Sequence, residues 1–128
     1  MALANPLPGV QGSRYLLGVD LQVDTKLIVP GTSDYVTGGY AVTAIACGFK
    51  LLQQAIVTGG NSTAFPANTG WYAVCVFPFV QIGGVSTGAG VSGYSQFLFK
   101  VYVASTGVEV ASGVSLAGNI WQVMIFGY

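Results

Sequence analysis

Hydrophobic and polar positions alternate along much of this 128-residue chain, and a period of two marks strands with one buried face. Over 14–24, Tyr15, Leu17, Val19, Leu21 and Val23 share one face and Arg14, Gly18, Asp20, Gln22 and Asp24 the other, Leu16 being the exception. That pattern predicts a half-buried strand with its carboxylates in solvent. A short strand over 26–29 stops at Pro30 and Gly31, and 31–40, GTSDYVTGGY, is dense in turn formers, with Gly38 and Gly39 expected at positive φ. Between 41 and 57 two patterns compete. Ile45, Phe49, Leu52 and Ile56 fit a helical face, whereas Leu51, Gln53, Ala55 and Val57 fit a strand, so the expectation is a helical turn followed by a strand from Phe49.

Residues 58–70, TGGNSTAFPANTG, read as a loop by composition, and the VTGG of 36–39 and of 57–60 as the same turn chemistry used twice. The next run, 71–82, is apolar on both faces: Trp71, Ala73, Cys75, Phe77 and Phe79 against Tyr72, Val74, Val76 and Val80. A strand of that kind is covered on both sides, by two layers of its own domain or by another subunit. The glycine-rich 83–95 is long for a connection without structure of its own, which makes it a contact element. Residues 96–104 and 107–111 flank a turn at Ser105, Thr106 and Gly107 as a hairpin, with Phe97, Phe99, Val101 and Val103 inward and Lys100 and Tyr102 outward. A last strand covers 120–126. Six to eight strands with turns at this spacing predict an all-β fold, a single-domain antiparallel β-sandwich or barrel of jelly-roll type over 14–128. Ahead of it, 1–13 with Pro6, Pro8, Gly9 and Gly12 reads as an extended N-terminal arm outside the core.

Composition changes the picture from fold to function. The chain is 52% hydrophobic and 6% charged, with four basic and four acidic residues and a net charge of zero. Soluble domains usually carry about 25% charged residues. No charged side chain lies between Lys50 and Lys100, a stretch that holds Trp71, Tyr72, Phe77, Phe79 and Phe97. Like charge keeps free domains apart, so a neutral, weakly charged chain is suited to life packed against partners. The richest apolar run, 71–80, is broken by Pro78 and is about half of what a spanning helix needs, so no membrane partner is expected. The first 14 residues lack the cationic start and apolar segment of a secretory signal, which points to folding in a cytoplasm.

The chemistry-bearing residues are few. Cys47 and Cys75 have neither a CxxC spacing nor a histidine to complete a zinc site, and read as two small buried hydrophobes. Gly88, Gly90 and Gly93 spell GxGxxG with Glu109 downstream, but a dinucleotide fingerprint must open a helix, and Tyr94 onward has strand periodicity. Without histidine, triad hydrolysis lacks its usual base. Asp20 and Asp24 share a strand face about 13 Å apart, too far for paired glycosidase carboxylates. The four cations, Arg14, Lys26, Lys50 and Lys100, form no stripe for phosphates, so nucleic acid is not an expected partner. Asn61, Ser62 and Thr63 form a glycosylation sequon that, without secretion, marks only a polar loop. No enzyme, cofactor or metal is expected.

Residues 34–49, DYVTGGYAVTAIACGF, and 101–118, VYVASTGVEVASGVSLAG, followed by a final short strand, resemble small virion proteins of tailed bacteriophages, in particular head decoration or cement proteins. The resemblance implies an all-β protein on the capsid surface, reached after synthesis in the bacterial cytoplasm. It also implies a homotrimer as the common state and the major capsid protein as partner. Such a role needs interface area and no chemistry. The arm, the loop 83–95 and the two-sided strand supply the candidate contacts: Leu3, Pro6, Leu7, Pro8, Trp71, Tyr72, Val85, Val91, Tyr94 and Tyr128. The alternative is a tail- or fibre-associated module that binds glycans through aromatic rings with a polar handle.

Overall fold

The computed structural model describes residues 1–4, 15–16, 21–62, 70–77, 81–82, 85–86 and 93–128. Its strands run in chain order as β1 (Ala2–Ala4), β2 (Tyr15–Leu16), β3 (Gln22–Val29), β4 (Tyr40–Thr43), β5 (Leu52–Ser62) and β6 (Trp71–Val76). After these come β7 (Gln81–Ile82), β8 (Val85–Ser86), β9 (Gln96–Val103) and β10 (Asn119–Gly127). One sheet has the order β1-β3-β10-β5, with β2 also on β3, a second the order β4-β9-β6, and β7 pairs with β8 alone. Every pairing is antiparallel. The fold is therefore the expected all-β sandwich.

The two large sheets pack through one core. Phe97, Phe99 and Val101 on β9 and Tyr40 and Val42 on β4 meet Ile28 on β3, Leu52 and Ala55 on β5, and Trp121, Val123 and Ile125 on β10. The rings of Phe99 and Trp121 cross edge to face at 5.7 Å, joining the sheets at their centre. β10 alternates as the sequence pattern requires, with Trp121, Val123 and Ile125 buried. Val110 and Leu116, on the connection from β9 to β10, close one side of the core. Of the residues expected inside, Phe97, Phe99 and Val101 are buried, Val103 and Cys75 are half-buried, and Leu17 and Val19 lie outside the described residues.

Several boundaries differ from the sequence expectation, each for a tertiary reason. The break placed between 24 and 26 does not exist, because β3 continues to Val29 along β10. β5 begins at Leu52 and extends to Ser62, so 58–62 is strand, and the second VTGG lies in a ladder where only the first is a turn. Neither helical nor strand periodicity fits β5 because it carries two bulges. Leu52 and Gln54 oppose the adjacent Gly127 and Phe126, and Val57 and Gly59 oppose Val123 and Gln122, leaving Gln53 and Thr58 as extra residues. Each bulge resets which side chains face inward. The helical turn is a short 3-10 segment, Ile45–Cys47.

The run 71–82 is not one strand either. β6 ends at Val76, and Gln81–Ile82 pairs separately with Val85–Ser86, inside what the composition marked as loop. Tyr94 at the end of that loop bridges Leu52. The hairpin after β9 is reduced to a single bridge, Tyr102 with Glu109, flanked by Val103 N–H to Val108 C=O at 2.8 Å and Val110 N–H to Val101 C=O at 2.9 Å. Residues 1–4, the described part of the expected arm, are not detached. Ala2–Ala4 forms the edge of the first sheet on β3, Leu3 packs on the core opposite Ile28, and Tyr15–Leu16 pairs with the other end of the same edge.

Candidate interaction surface

Register decides which way the charges of β3 point. Directly opposed residues of an antiparallel pair share a face, and Asp24, Lys26 and Ile28 lie opposite Ile125, Val123 and Trp121, the three inward residues of β10. Asp24 and Lys26 therefore sit on the core-facing side, paired at 3.2 Å, with Asp24 only 5% exposed. The backbone N–H of Thr25 also donates to Asp24 Oδ1 at 2.8 Å. The expectation that Asp24 lies on a solvated face is thus corrected; Asp20 lies outside the described residues. Burial of a carboxylate is tolerable when a cation and hydrogen-bond donors meet it.

The outward face of this sheet consequently carries no charge among the described residues. Val23, Thr25 and Leu27 on β3 lie opposite Phe126, Met124 and Gln122 on β10, with Ile56 of β5 next to Met124. Ile56 is 43% exposed. The second sheet is alike. Tyr72, Val74 and Val76 turn outward from β6 and are exposed, opposite Tyr102, Lys100 and Leu98 on β9. Tyr72 and Tyr102 stack with centroids 5.3 Å apart and planes 14° from parallel. Lys100, on this face, has its Nζ 4.0 Å from Oε2 of Glu109, which bridges the outward Tyr102. Two nearly uncharged sheet faces thus look out from opposite sides of one core.

The remaining acids serve the loops. Glu109 Oε1 accepts from the Tyr35 hydroxyl at 2.9 Å and the Gly38 N–H at 2.6 Å, while the same Tyr35 oxygen accepts from the Val101 N–H at 2.9 Å. Burial, and then the Glu109 contact, raises the Tyr35 phenol well above its ordinary range. Asp34 accepts from the Met1 ammonium, the Tyr40 hydroxyl at 2.5 Å and the Gly31 N–H at 3.0 Å. Partial burial pushes the Asp34 carboxyl up, but the bonds from the ammonium, Tyr40 and Gly31 outweigh it and leave it below its usual value. Burial together with its partner Asp34 raises the Tyr40 phenol in turn. These groups hold loops together.

Neither cysteine forms a disulfide, Cys47 being buried and Cys75 half-buried, and burial with Cys47 nearby pushes the Cys75 thiol up to about 12. A thiol held in that state is a poor nucleophile or ligand. Among the described residues no three His, Cys, Asp or Glu side chains gather. The glycine run ending at Gly93 leads into strand β9, with no helix to face a pyrophosphate. No helix among the described residues is long and apolar enough to cross a membrane.

The expected contact residues scatter. Tyr72 is exposed on the outward face of β6, while Trp71, its neighbour, turns inward and packs half-buried against the core. Leu3 is likewise packed against the core, and Tyr94 is held by Leu52 and by the Phe77 ring at 5.0 Å. Tyr128 is exposed, its hydroxyl accepting from Gln53 Nε2 at 3.2 Å. Val85 lies in β8, and Pro6, Leu7, Pro8 and Val91 lie outside the described residues. Sequence reasoning missed Leu27, Ile56, Met124 and Phe126. Their signal was present in 120–126, where Ile120, Met124 and Phe126 make the second face of β10 as apolar as the first. Comparison with protein-family models, curated proteins and solved structures finds no match to this chain.

Proposed function

We propose that this protein is a structural virion component that docks on the outer surface of a tailed-phage capsid and stabilises contacts between major capsid subunits, without catalysis. The observation behind the reading is the polarity of the sandwich: Asp24 and Lys26 point into it, Lys100 is paired with Glu109, and apolar side chains point out of both sheets. Interface centres are depleted in charge and rich in aromatic and aliphatic groups, and a surface of this composition gains by being covered. Two such faces suit a protein held between neighbours, one face on the capsid and the other on a sister copy, with a homotrimer as the expected assembly. The partner class comes from the resemblance of 34–49 and 101–118 to cement proteins, and the location is the capsid surface after synthesis in the bacterial cytoplasm.

The test places a carboxylate on each outward face in turn, with Ile56→Glu for the first sheet and Val74→Glu for the second. Both sites are exposed in the isolated chain, so folding should persist by circular dichroism. At least one variant should lose about tenfold or more in occupancy on expanded heads, since a buried unpaired charge costs several kcal/mol. Particles lacking the protein should break at lower temperature than decorated ones. Unchanged occupancy for both variants, or identical melting of bare and decorated particles, ends the cement reading.

A further inference from the structure

At the open side of the sandwich, where the edge strands β5 and β6 come together, lies a groove of about 320 Å³. We infer that it binds a neutral saccharide, a property beyond capsid docking. Both tryptophans of the chain line it, Trp71 from β6 and Trp121 from β10, and Tyr72 forms its rim. Tyr72 is 44% exposed and lies parallel on Tyr102, so its ring is a presented platform held in place from behind. Aromatic faces of this kind stack on the C–H faces of sugar rings, combining apolar contact with a polar edge.

The opposite wall is Gly59–Gly60 of β5. Apart from the Leu52–Tyr94 bridge at its start, β5 pairs among the described residues only with β10, which leaves its other edge open beside Gly59 and Gly60, and alternate residues of such an edge present N–H and C=O groups outward. Two adjacent glycines leave those groups unshielded. Trp121 is 2% exposed, and neither its indole N–H nor that of Trp71 donates to an acceptor among the described residues. A buried donor on a residue that lines an open groove can be met by an acceptor from outside the fold. Among the described residues no charged side chain lines the groove. An apolar side chain of a protein partner would leave those backbone groups unmet, and an anionic ligand would find no cation. A neutral polyhydroxyl ligand meets both the rings and the amides, and the volume lies at the small end of the usual range for ligand pockets.

The full chain should be titrated with maltohexaose, cellohexaose and triacetylchitotriose up to about 10 mM, following tryptophan emission and saturation-transfer NMR. Because both tryptophans line the groove, emission reports on this site directly. At least one sugar should shift it with a Kd of about 0.1–1 mM. Tyr72→Ala should weaken binding about tenfold and Tyr72→Phe only a few-fold, with the thermal midpoint little changed. Ile56 is the positional control: it lies opposite Met124 on the sheet's outward face, is 43% exposed and is not among the residues lining the groove. Ile56→Ser should therefore keep affinity within about twofold. Binding by none of the sugars overturns the inference, as does sugar binding that Tyr72→Ala leaves intact or that Ile56→Ser abolishes. Neither result bears on capsid occupancy, which the Ile56 and Val74 variants measure.

Discussion

Single residues fix the turns that let the sheets meet. Gly38 and Gly39 both have positive φ, 111° and 96°, as the sequence predicts, but they differ in surroundings. A Cβ on Gly39 would stand 2.7 Å from the Phe99 carbonyl oxygen, whereas one on Gly38 meets nothing within 4 Å. Gly39→Ala should cost about 3 kcal/mol, strain plus the displaced strand, and Gly38→Ala about 1 kcal/mol, strain alone. Paired urea titrations measure the difference. Equal losses would show that the approach to β9 is unimportant. Asp34 sets an acid limit at the same scale. Its folded value lies below its unfolded one, so its contribution is full above pH about 4 and disappears as pH falls through the folded value. Wild type should lose more of its urea midpoint than Asp34→Asn on going from about pH 6 to about pH 3. The sequence placed the glycines because a run of turn formers has local causes. It was silent on Asp34, whose partners Met1 and Tyr40 arrive only with the fold.

Among the elements, β3 and β1 carry the departures from local pattern. β3 keeps its length across the charged positions because β10 supplies a ladder and a partner face along Gln22–Ile28. Lys26→Met should therefore destabilise by about 3 kcal/mol by removing a cation from a buried carboxylate. Asp24→Leu combined with Lys26→Met should recover most of that loss, since the desolvation of both charges goes with the pair. A double variant as unstable as the sum of the single ones would place the two residues in separate environments. β1 is short, and its stabilisation comes from Leu3 on the core and three ladder positions on β3. Removing residues 1–4 should cost about 2 kcal/mol, which a thermal melt detects. An unchanged melt would make these residues the detached arm that their composition resembles. Strand type was legible wherever one face was polar, as in β9. Boundaries failed in β5, where bulges at Gln53 and Thr58 shift the period and no local signal announces them.

For the whole molecule, the expected consequence of two nearly uncharged outward faces is association. Net charge is zero and repulsion between copies is weak, so the protein should sediment as a homo-oligomer at micromolar concentration, a trimer by the present reading. The assembly should resist high salt, because apolar contacts strengthen where ion pairs are screened. A monomer at every concentration, or dissociation by salt, would remove the self-association part of the proposal.

The chain alone determined the all-β class, the inward stripe of β9 and the poverty of charge, since alternation, turn formers and composition are properties of neighbouring residues. Which face of β3 is inside was decided by the tertiary structure. Val23 and Asp24 are adjacent, and local pattern favours putting valine in and aspartate out, yet register with β10 puts Asp24 beside Ile125. A strand's side chains turn over with a one-residue change of register, so only the pairing partner can choose the face. The same holds for the groove. Gly59 and Gly60 look like a turn in sequence and become an open wall because β10 holds them extended while β6, from the other sheet, brings Trp71 and Tyr72 alongside. Long-range pairing set these positions, and it leaves no trace in a local window of residues.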